Sequence, residues 1–426
     1  MSPEEDVRAL ATDRFVIVGA SLAGASAATA LRDGGFGGEI TLIGAEDRLP
    51  YSRPGLSKGY LRGQERFEDQ LVNPAEEYAR RNIAVHTGTR ATRVDPGARV
   101  VELEGGERVP YDRLLVTTGG RHRALRVPGA DLAGVFQLRS VEECDRIRAA
   151  ARKGARAVVI GMGFIGSEVT ASLRQMGVDV AAIDGHPVPL ARVLGPEVGE
   201  VLAAVHRDHG VDLALGDSVA ALEGAGRVER VRTGKGRVLA CDLVVAGVGI
   251  EPNQELLARA GARVDNGVLV DAHCRTSLPD VYAAGDVANH EHPLFGRLRV
   301  EHWNNGLHHG RAAARAMLGG TEAYDYVHSF WSDQYEHLIE YVGWASTWDR
   351  LVFRGLPEGR KFLTFYLKDG VLRAAMGLDR GGDPEDPKTD SELKVVAGMI
   401  RRRARVDPAR LADDTVALSR LAADAS

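Results

Sequence analysis

The sequence predicts an α/β chain made of two doubly wound domains and a smaller C-terminal α+β domain. Three observations predict it. A short apolar β-rich run that enters a glycine-punctuated turn and then an alanine-rich or apolar helix occurs twice, at Gly19 and at Gly161. Each of these units closes with a second apolar strand that stops at an acid, Glu46 in the first and Asp184 in the second. From about Tyr326 the composition shifts to aromatic strands followed by a basic helix.

In order along the chain, Phe15-Val16-Ile17-Val18 reads as a strand, residues 23–32 as a helix, and Ile40-Thr41-Leu42-Ile43 as the next strand, which together form a β-turn-α-β unit. Leu114-Leu115-Val116 is a strand stopping at Thr117-Thr118-Gly119-Gly120. The pattern returns with Ala157-Val158-Val159-Ile160, a helix to about Met176 and a strand over 178–183. This is an internal repeat at domain scale. Residues 242–249 and Val281-Tyr282-Ala283-Ala284-Gly285-Asp286 are further strands running into loops. The last region carries strands at Phe330-Trp331, 338–342 and 362–367, a polar loop at 381–387 and a helix over 391–403. The expected domains are 1–120 with 250–325, then 121–249, then 326–426.

Bulk properties narrow the function classes. A net charge of −5 over 426 residues and a pI near 6.3 give no global attraction to nucleic acid or to an anionic membrane. No apolar run reaches the roughly 20 residues that a membrane span needs. The polar, acidic stretch 1–13 lacks the basic and apolar regions of a signal peptide, so a cytoplasmic protein is expected. The three cysteines, Cys144, Cys241 and Cys274, form no CxxC or CxxxxC pair, which excludes a disulfide framework or a cysteine zinc site. The histidine pairs His290/His292 and His308/His309 have no cysteine or carboxylate cluster beside them, and no metal is expected.

The glycine turns carry the chemistry. A dinucleotide pyrophosphate is anionic and is met by backbone N–H groups at a helix N-terminus. Glycines allow the tight turn and the close backbone approach, and an acid at the end of the second strand accepts hydrogen bonds from the ribose hydroxyls. The second site is complete: Gly161, Gly163 and Gly166, with Phe164 and Ile165 between them, and Asp184 eighteen residues after Gly166. Asp184 is followed by Gly185 and His186 with no adjacent arginine for a 2′-phosphate, which favours NADH. The first site has Gly19, Ala23 and Gly24, but Ser21 stands at the middle glycine position. Its Cβ narrows the approach to the pyrophosphate, while its hydroxyl offers a bond to a phosphate oxygen. Glu46 is the ribose acid there.

The run Leu49-Pro50-Tyr51-Ser52-Arg53-Pro54-Gly55-Leu56-Ser57-Lys58 resembles the LPYxRPPLSK segment of bacterial ferredoxin reductases, the relatives of putidaredoxin reductase, rubredoxin reductase and the dioxygenase-linked reductases. Thr118-Gly119, the segments 161–168, 247–253 and 276–286, Glu301-His302-Trp303 and residues 330–335 resemble the same family in order. Single pieces are shared with all two-dinucleotide flavoprotein reductases of the glutathione reductase-like fold. The combination is specific and covers about residues 14–354. Departures are Ser21, Gly55, His122 and Asp184 where many relatives carry Glu.

The resemblance implies Rossmann-like FAD and NAD domains. It places Lys58 beside the flavin, where a cation stabilises the anionic reduced ring, and Glu168 towards the nicotinamide and within reach of Lys58. Asp286, with Gly285, matches the acid on the ribityl chain. Arg53, Pro54 and Arg139 match positions at the pyrophosphate or adenine, and Thr118, Gly119, Glu301 and Trp303 match further flavin neighbours. Trp331 matches an aromatic position at the flavin or is plain core, and Gly249 lies on the NAD side. Lys58, Glu168 and Trp331 are the catalytic candidates. Taken alone, Glu168 also reads as a first-turn helix acid favoured by the helix dipole. Disulfide reductases of this build pass electrons through a CxxxxC pair just after the first βαβ unit, whereas residues 49–61 here hold no cysteine. Electrons are therefore expected to leave for an iron–sulfur ferredoxin, or rubredoxin, that serves an oxygenase. Arg297, Arg299, Arg311 and Arg315 are candidate docking residues, a solvated salt-bridged face being the alternative. Two other readings remain: a monodehydroascorbate reductase-like reductase of small acceptors, and an apoptosis-inducing-factor-like flavoprotein switched by NADH.

Overall fold

The computed structural model describes residues 12–424; most of the stretch 1–13 read above for a signal peptide lies outside them. Both glycine turns sit in the same local architecture. β1 (Arg14–Val18), α1 (Leu22–Asp33) and β2 (Glu39–Ile43) form the first, and β3 (Arg156–Ile160), α2 (Phe164–Gln175) and β4 (Asp179–Asp184), followed by α3 (Ala191–Asp208), form the second. β1 pairs parallel with β2 from Arg14↔Glu39 to Val18↔Ile43, and β3 pairs with β4 from Arg156↔Asp179 to Ile160↔Ile183. The inner strands are continuous apolar runs because helices cover both faces of a parallel sheet.

The chain divides into two compact units. The first comprises the described residues up to Ser52, Glu68–Arg121 and Ile250–Tyr326. Its sheet runs in the order Val281–Ala283, Arg113–Val116, β1, β2, Ile83–His86. The strand order reverses between β1 and Arg113–Val116, and a ligand crevice opens beyond the carboxyl ends of the strands at such a switch point. The register places those ends together, since Val18 pairs with Val116 and Val116 with Ala283. α4 (Trp303–Met317) lies against α1. The approach is tight enough that a Cβ on Gly310 would sit 2.2 Å from the Ala23 carbonyl oxygen.

The second unit comprises Arg53–Phe67, His122–Gly249 and the chain from Val327. Segment 53–67, expected within the first domain, thus packs with the second. One sheet of this unit runs Asp212–Leu215, β4, β3, Leu243–Ala246, Val135–Phe136, again reversing beside the glycine-loop strand. A second five-stranded sheet is antiparallel, β5 (Ser329–Gln334) and β6 (His337–Gly343) being followed in space by Val371–Leu378, Lys361–Lys368 and Arg350–Leu356. Its buried face meets α3 through Leu194, Val198 and Leu202 against Phe330, Ile339 and Tyr341. α3 bends at Gly195, where φ is +83° before Pro196, consistent with a proline that cannot continue the preceding hydrogen-bond ladder. Among the described residues no helix is long and apolar enough to cross a membrane.

Candidate functional site

In the first unit the glycines of the turn divide by purpose. Gly19 has φ +122°, and a Cβ there would lie 2.3 Å from the Thr117 carbonyl oxygen. A Cβ on Gly24 would lie 2.1 Å from the Gly19 carbonyl oxygen. Both are demanded by the fold itself. Ser21, between them, is the N-cap of α1 in an extended conformation, and its hydroxyl makes no capping bond. The first turn of α1 contains no acid, so the positive helix end is not neutralised by its own side chains. The helix Val141–Ala150 shows the contrast, with a reciprocal Ser140–Glu143 capping box.

The other expected flavin residues of this unit emerge at the same strand ends. Glu46 accepts a hydrogen bond from the Tyr51 hydroxyl. Thr118 and Asn253 exchange two bonds: the Thr118 hydroxyl donates to the Asn253 carbonyl at 2.9 Å, and the Asn253 amide donates to the Thr118 carbonyl at 2.8 Å. Gly119 and Gly285 both have positive φ. The Gly285 N–H donates to His309 Nδ1 at 3.2 Å, which fixes the turn carrying Asp286. Burial holds the His309 pKa down to about 3, so the ring stays neutral and can accept this bond. Trp303 starts α4, and its indole N–H donates to Ser52 Oγ at 2.9 Å. Glu301 is paired with Arg299 at 2.6 Å.

In the second unit the same division is sharper. A Cβ on Gly161 would lie 2.4 Å from the Gly247 carbonyl oxygen, and one on Gly166 would lie 1.8 Å from the Gly161 carbonyl oxygen. A Cβ on Gly163 would meet no protein atom within 4 Å. The middle glycine is therefore not required by the chain's own packing; the open space beside it suits a ligand that approaches the backbone. The same logic explains how the fold tolerates Ser21 in the first turn. α2 also lacks an acid in its first turn. Asp184 accepts the Met162 N–H on Oδ2 at 2.5 Å and the His186 N–H on Oδ1 at 2.7 Å. Each oxygen keeps a lone pair for a ribose hydroxyl. Ile165 is 47% exposed, while Phe164 packs edge-on against Phe330 at 4.7 Å. Gly249 has φ +90°.

Sequence order hides one cation. Although no arginine is adjacent to Asp184 in the sequence, Arg192 Nε donates to His186 Nε2 at 2.9 Å. The fold brings an arginine to the residue two places after Asp184.

The centre of the second unit is a buried ion pair. Lys58 Nζ lies 2.7 Å from Glu168 Oε2, with side-chain exposures of 11% and 4%. Ser57 Oγ donates to Glu168 Oε2 at 2.5 Å, and Ser332 Oγ donates to Oε1 at 2.7 Å. Glu168 thus accepts three donors, the saturation that a buried carboxylate requires. Glu168 lies in the second turn of α2, which starts at Phe164. The reading of it as a first-turn dipole residue is therefore corrected: its partner is Lys58. Ser57 and Ser332 were missed as site residues. Both fall inside segments whose family resemblance was evident, but a serine gives no sequence signal of its own until the fold points its hydroxyl at a charge.

The remaining candidates separate. Pro54 opens the short helix Pro54–Ser57, with Arg53 before it, and the Arg53 guanidinium donates to the Arg139 carbonyl. The Arg139 N–H donates to Glu143 at 2.8 Å, which His122 also meets at 3.0 Å. Burial would raise the Glu143 pKa, but the His122 ring and two backbone N–H groups outweigh it and hold the carboxyl below its ordinary value. Trp331 is half-buried and alternates with the buried Phe330 and Ser332 along β5, so it is not simple core. Of the candidate docking arginines, Arg299 has a side chain only 8% exposed, occupied by Glu301 and the Asp286 carbonyl. Arg297 donates to the Asn289 and Val270 carbonyls. Of the four candidates Arg297, Arg311 and Arg315 are exposed, the last two on α4, while Arg299 is enclosed. His290 and His309 stand with centroids 4.8 Å apart, and His309 stacks on Tyr324 at 4.5 Å. The three cysteines are buried and form no disulfide; burial raises the Cys144 thiol to about 12 and that of Cys241 to about 11. Such thiols are poor nucleophiles.

Comparison with known proteins gives a consistent family. Residues 13–310 match the pyridine nucleotide-disulphide oxidoreductase model, and residues 329–422 match a reductase C-terminal domain. Rhodocoxin reductase of Rhodococcus erythropolis is 38% identical over 374 residues, 87% of each chain. Putidaredoxin reductase of Pseudomonas putida is 35% identical over 422 residues, 97% of this chain and 98% of that one. Among solved structures, the covalent putidaredoxin reductase–putidaredoxin complex superposes with a TM-score of 0.91 at 34% identity, covering 97% of this chain and 99% of that one.

Proposed function

Because the chain belongs to the pyridine nucleotide-disulphide oxidoreductase family, whose members use FAD and a pyridine nucleotide, we propose that it is an NADH-dependent reductase of an iron–sulfur ferredoxin or rubredoxin that feeds an oxygenase. Relatives bearing such names include the 5,5′-dehydrodivanillate O-demethylase and anthranilate 1,2-dioxygenase ferredoxin reductase components. The observation that carries the reading is the Lys58–Glu168 pair. It follows the short helix Pro54–Ser57, the region where a disulfide reductase of this build keeps its cysteine pair. With no thiol there, electrons leave by outer-sphere transfer to a docked partner.

The residues divide the work. Backbone N–H groups at the start of α1, with the Ser21 hydroxyl, hold the FAD pyrophosphate, and Glu46 holds its ribose; Asp286 takes the ribityl chain. The start of α2 and Asp184 do the same for NADH, with Ile165 presenting an apolar contact. Lys58 supplies positive charge at the flavin, and Glu168 keeps that ammonium fixed. Within the first unit Thr118, Gly119, Glu301 and Trp303 serve the flavin, and Gly249 serves the NAD side. FAD, when bound, accepts two electrons as hydride from NADH and releases them singly. The proposed domains are FAD-binding (1–120 and 250–325), NAD-binding (121–249) and C-terminal (326–426). A cytoplasmic location suits a chain fed by soluble NADH.

The test is steady-state NADH oxidation with [2Fe–2S], [3Fe–4S] and rubredoxin-type acceptors beside ascorbyl radical. Preferential reduction of one iron–sulfur protein is expected. Faster turnover with ascorbyl radical than with every iron–sulfur acceptor would overturn the assignment in favour of a small-acceptor reductase. A reduced-flavin–NAD complex too long-lived for turnover would favour an NADH-switched role.

A further inference from the structure

The segment that carries Lys58 depends on its neighbours for hydrogen-bond donors. The helix Pro54–Ser57 is a single short turn, and Lys58 after it has left helical conformation, at φ −127° and ψ −119°. The last carbonyls of such a turn have no donor within the helix, and a buried carbonyl needs one. Two neighbouring helices of the same unit supply them. Cys144 Sγ, on the helix Val141–Ala150, donates to the Leu56 carbonyl at 3.1 Å. Ser172 Oγ, on α2, donates to the Ser57 carbonyl at 2.7 Å. Ser57 and Ser172 are each 1% exposed. Ser172 follows Glu168 by four residues, which places both on one face of α2. Glu168 takes the Lys58 ammonium and the Ser57 hydroxyl, and Ser172 takes the carbonyl of the peptide that joins these two residues.

The sense of the bonds is fixed by their chemistry. Arg62 Nη1 donates to Ser172 Oγ at 3.0 Å. A guanidinium only donates and a carbonyl only accepts, so the one proton of the Ser172 hydroxyl is committed to Ser57. A serine inside a helix ordinarily turns that proton back to the carbonyl four residues earlier; Ser172 directs it across to another segment. The charged donor on its oxygen polarises the hydroxyl and strengthens the bond that it makes in turn. Arg62 is held by Gln64, Nε to Oε1 at 2.8 Å, and its own backbone N–H bonds the Lys58 carbonyl at 3.1 Å. The peptides on both sides of Lys58 are therefore anchored, the one before it by Ser172 and the one after it by Arg62.

We propose that Ser172, polarised by Arg62, is a positioning residue for Lys58: it fixes the peptide that leads into Lys58 so that the ammonium stays on the Glu168 carboxylate. A lysine stem is long and flexible, and one ion pair at its tip leaves its direction free. Glu168 holds the tip and Ser172 holds the base, from one face of one helix. The catalytic consequence rests on the reading that Lys58 supplies positive charge at the flavin.

Ser172→Ala, Ser172→Thr, Arg62→Met, Lys58→Met and the double variant Ser172→Ala/Lys58→Met test this on the FAD-loaded protein. Two readouts are taken: single-turnover flavin reduction over a series of NADH concentrations, which separates the limiting rate from the apparent Kd, and the urea unfolding midpoint. Ser172→Ala should lower the limiting rate about fivefold, the factor that one ordinary hydrogen bond carries, and leave the apparent Kd for NADH unchanged. Arg62→Met should lower the rate by less, and Ser172→Thr, which keeps the hydroxyl, should stay close to wild type. On the Lys58→Met background Ser172→Ala should slow reduction no further, because the ammonium that it positions is gone. Where Lys58→Met is slow, an unchanged limiting rate in Ser172→Ala, or a further fivefold loss in the double variant, overturns the proposal. If Lys58→Met reduces at the wild-type rate, the placement of Lys58 at the flavin fails, and the unfolding midpoints decide the positioning role by themselves. Losses from Ser172→Ala and Lys58→Met that are less than additive then support it, and additive losses overturn it. If Ser172→Ala does not fold, Arg62→Met with and without Lys58→Met decides it by the same two readouts.

Discussion

Lys58→Met isolates the charge that organises the second unit. The substitution keeps an unbranched chain of similar length and removes the ammonium that stands 2.7 Å from Glu168. Breaking a buried ion pair by deleting one partner costs about 3–5 kcal/mol. Here the stranded carboxylate retains the Ser57 and Ser332 hydroxyls, so the loss belongs at the lower end, about 3 kcal/mol. In Lys58→Met/Glu168→Gln no charge is left unpaired, and the neutral amide keeps an acceptor for the serines. The double variant should recover about 2 kcal/mol of that loss as coupling energy. The assay is urea unfolding followed by tryptophan emission, since three of the four tryptophans, Trp331, Trp344 and Trp348, lie in the second unit, with flavin reduction by NADH measured in stopped flow beside it. Flavin reduction should slow in both variants because both lack the cation. Additive losses below about 1 kcal/mol together with an unchanged reduction rate would refute the reasoning.

The two inner glycines of the second turn should respond oppositely: Gly166→Ala meets the Gly161 carbonyl at 1.8 Å and should fail to fold, whereas Gly163→Ala enters open space, should keep its melting temperature and should bind NADH at least tenfold more weakly by calorimetry. Asp184→Ala should raise the KM for NADH and, because Arg192 reaches His186, improve the use of NADPH; adding Arg192→Ala should abolish that gain, and equal NADPH kinetics with and without Arg192 would remove it from the site. The neutral burial of His206, with a folded pKa of about 4, means the unfolded chain takes up its proton first as pH falls. This part of the stability is present above about pH 6.5 and declines towards pH 4, by about 3 kcal/mol in all; His206→Gln should flatten that segment of the unfolding midpoint–pH curve. Arg311→Glu with Arg315→Glu should raise the KM for the iron–sulfur acceptor and weaken its salt dependence, while Arg299→Ala should lower the melting temperature, since its guanidinium bonds inside the fold.

The sequence alone determined the two βαβ units, because apolar strands, glycines and terminal acids at Gly19–Glu46 and Gly161–Asp184 are local patterns set by strand period and turn geometry. It also located Lys58 and Glu168, through segments whose order along the chain is specific. Only the tertiary structure decided which glycines serve the fold and which leave room for a ligand, because that depends on carbonyls from strands far along the chain, Thr117 for Gly19 and Gly247 for Gly161. It likewise decided that Arg299 is structural, that Arg192 stands by His186, and that Ser57 and Ser332 serve Glu168. Serine carries no periodic signal; its meaning comes from the charge it faces, and residues 57, 168 and 332 meet only when strand and helices pack.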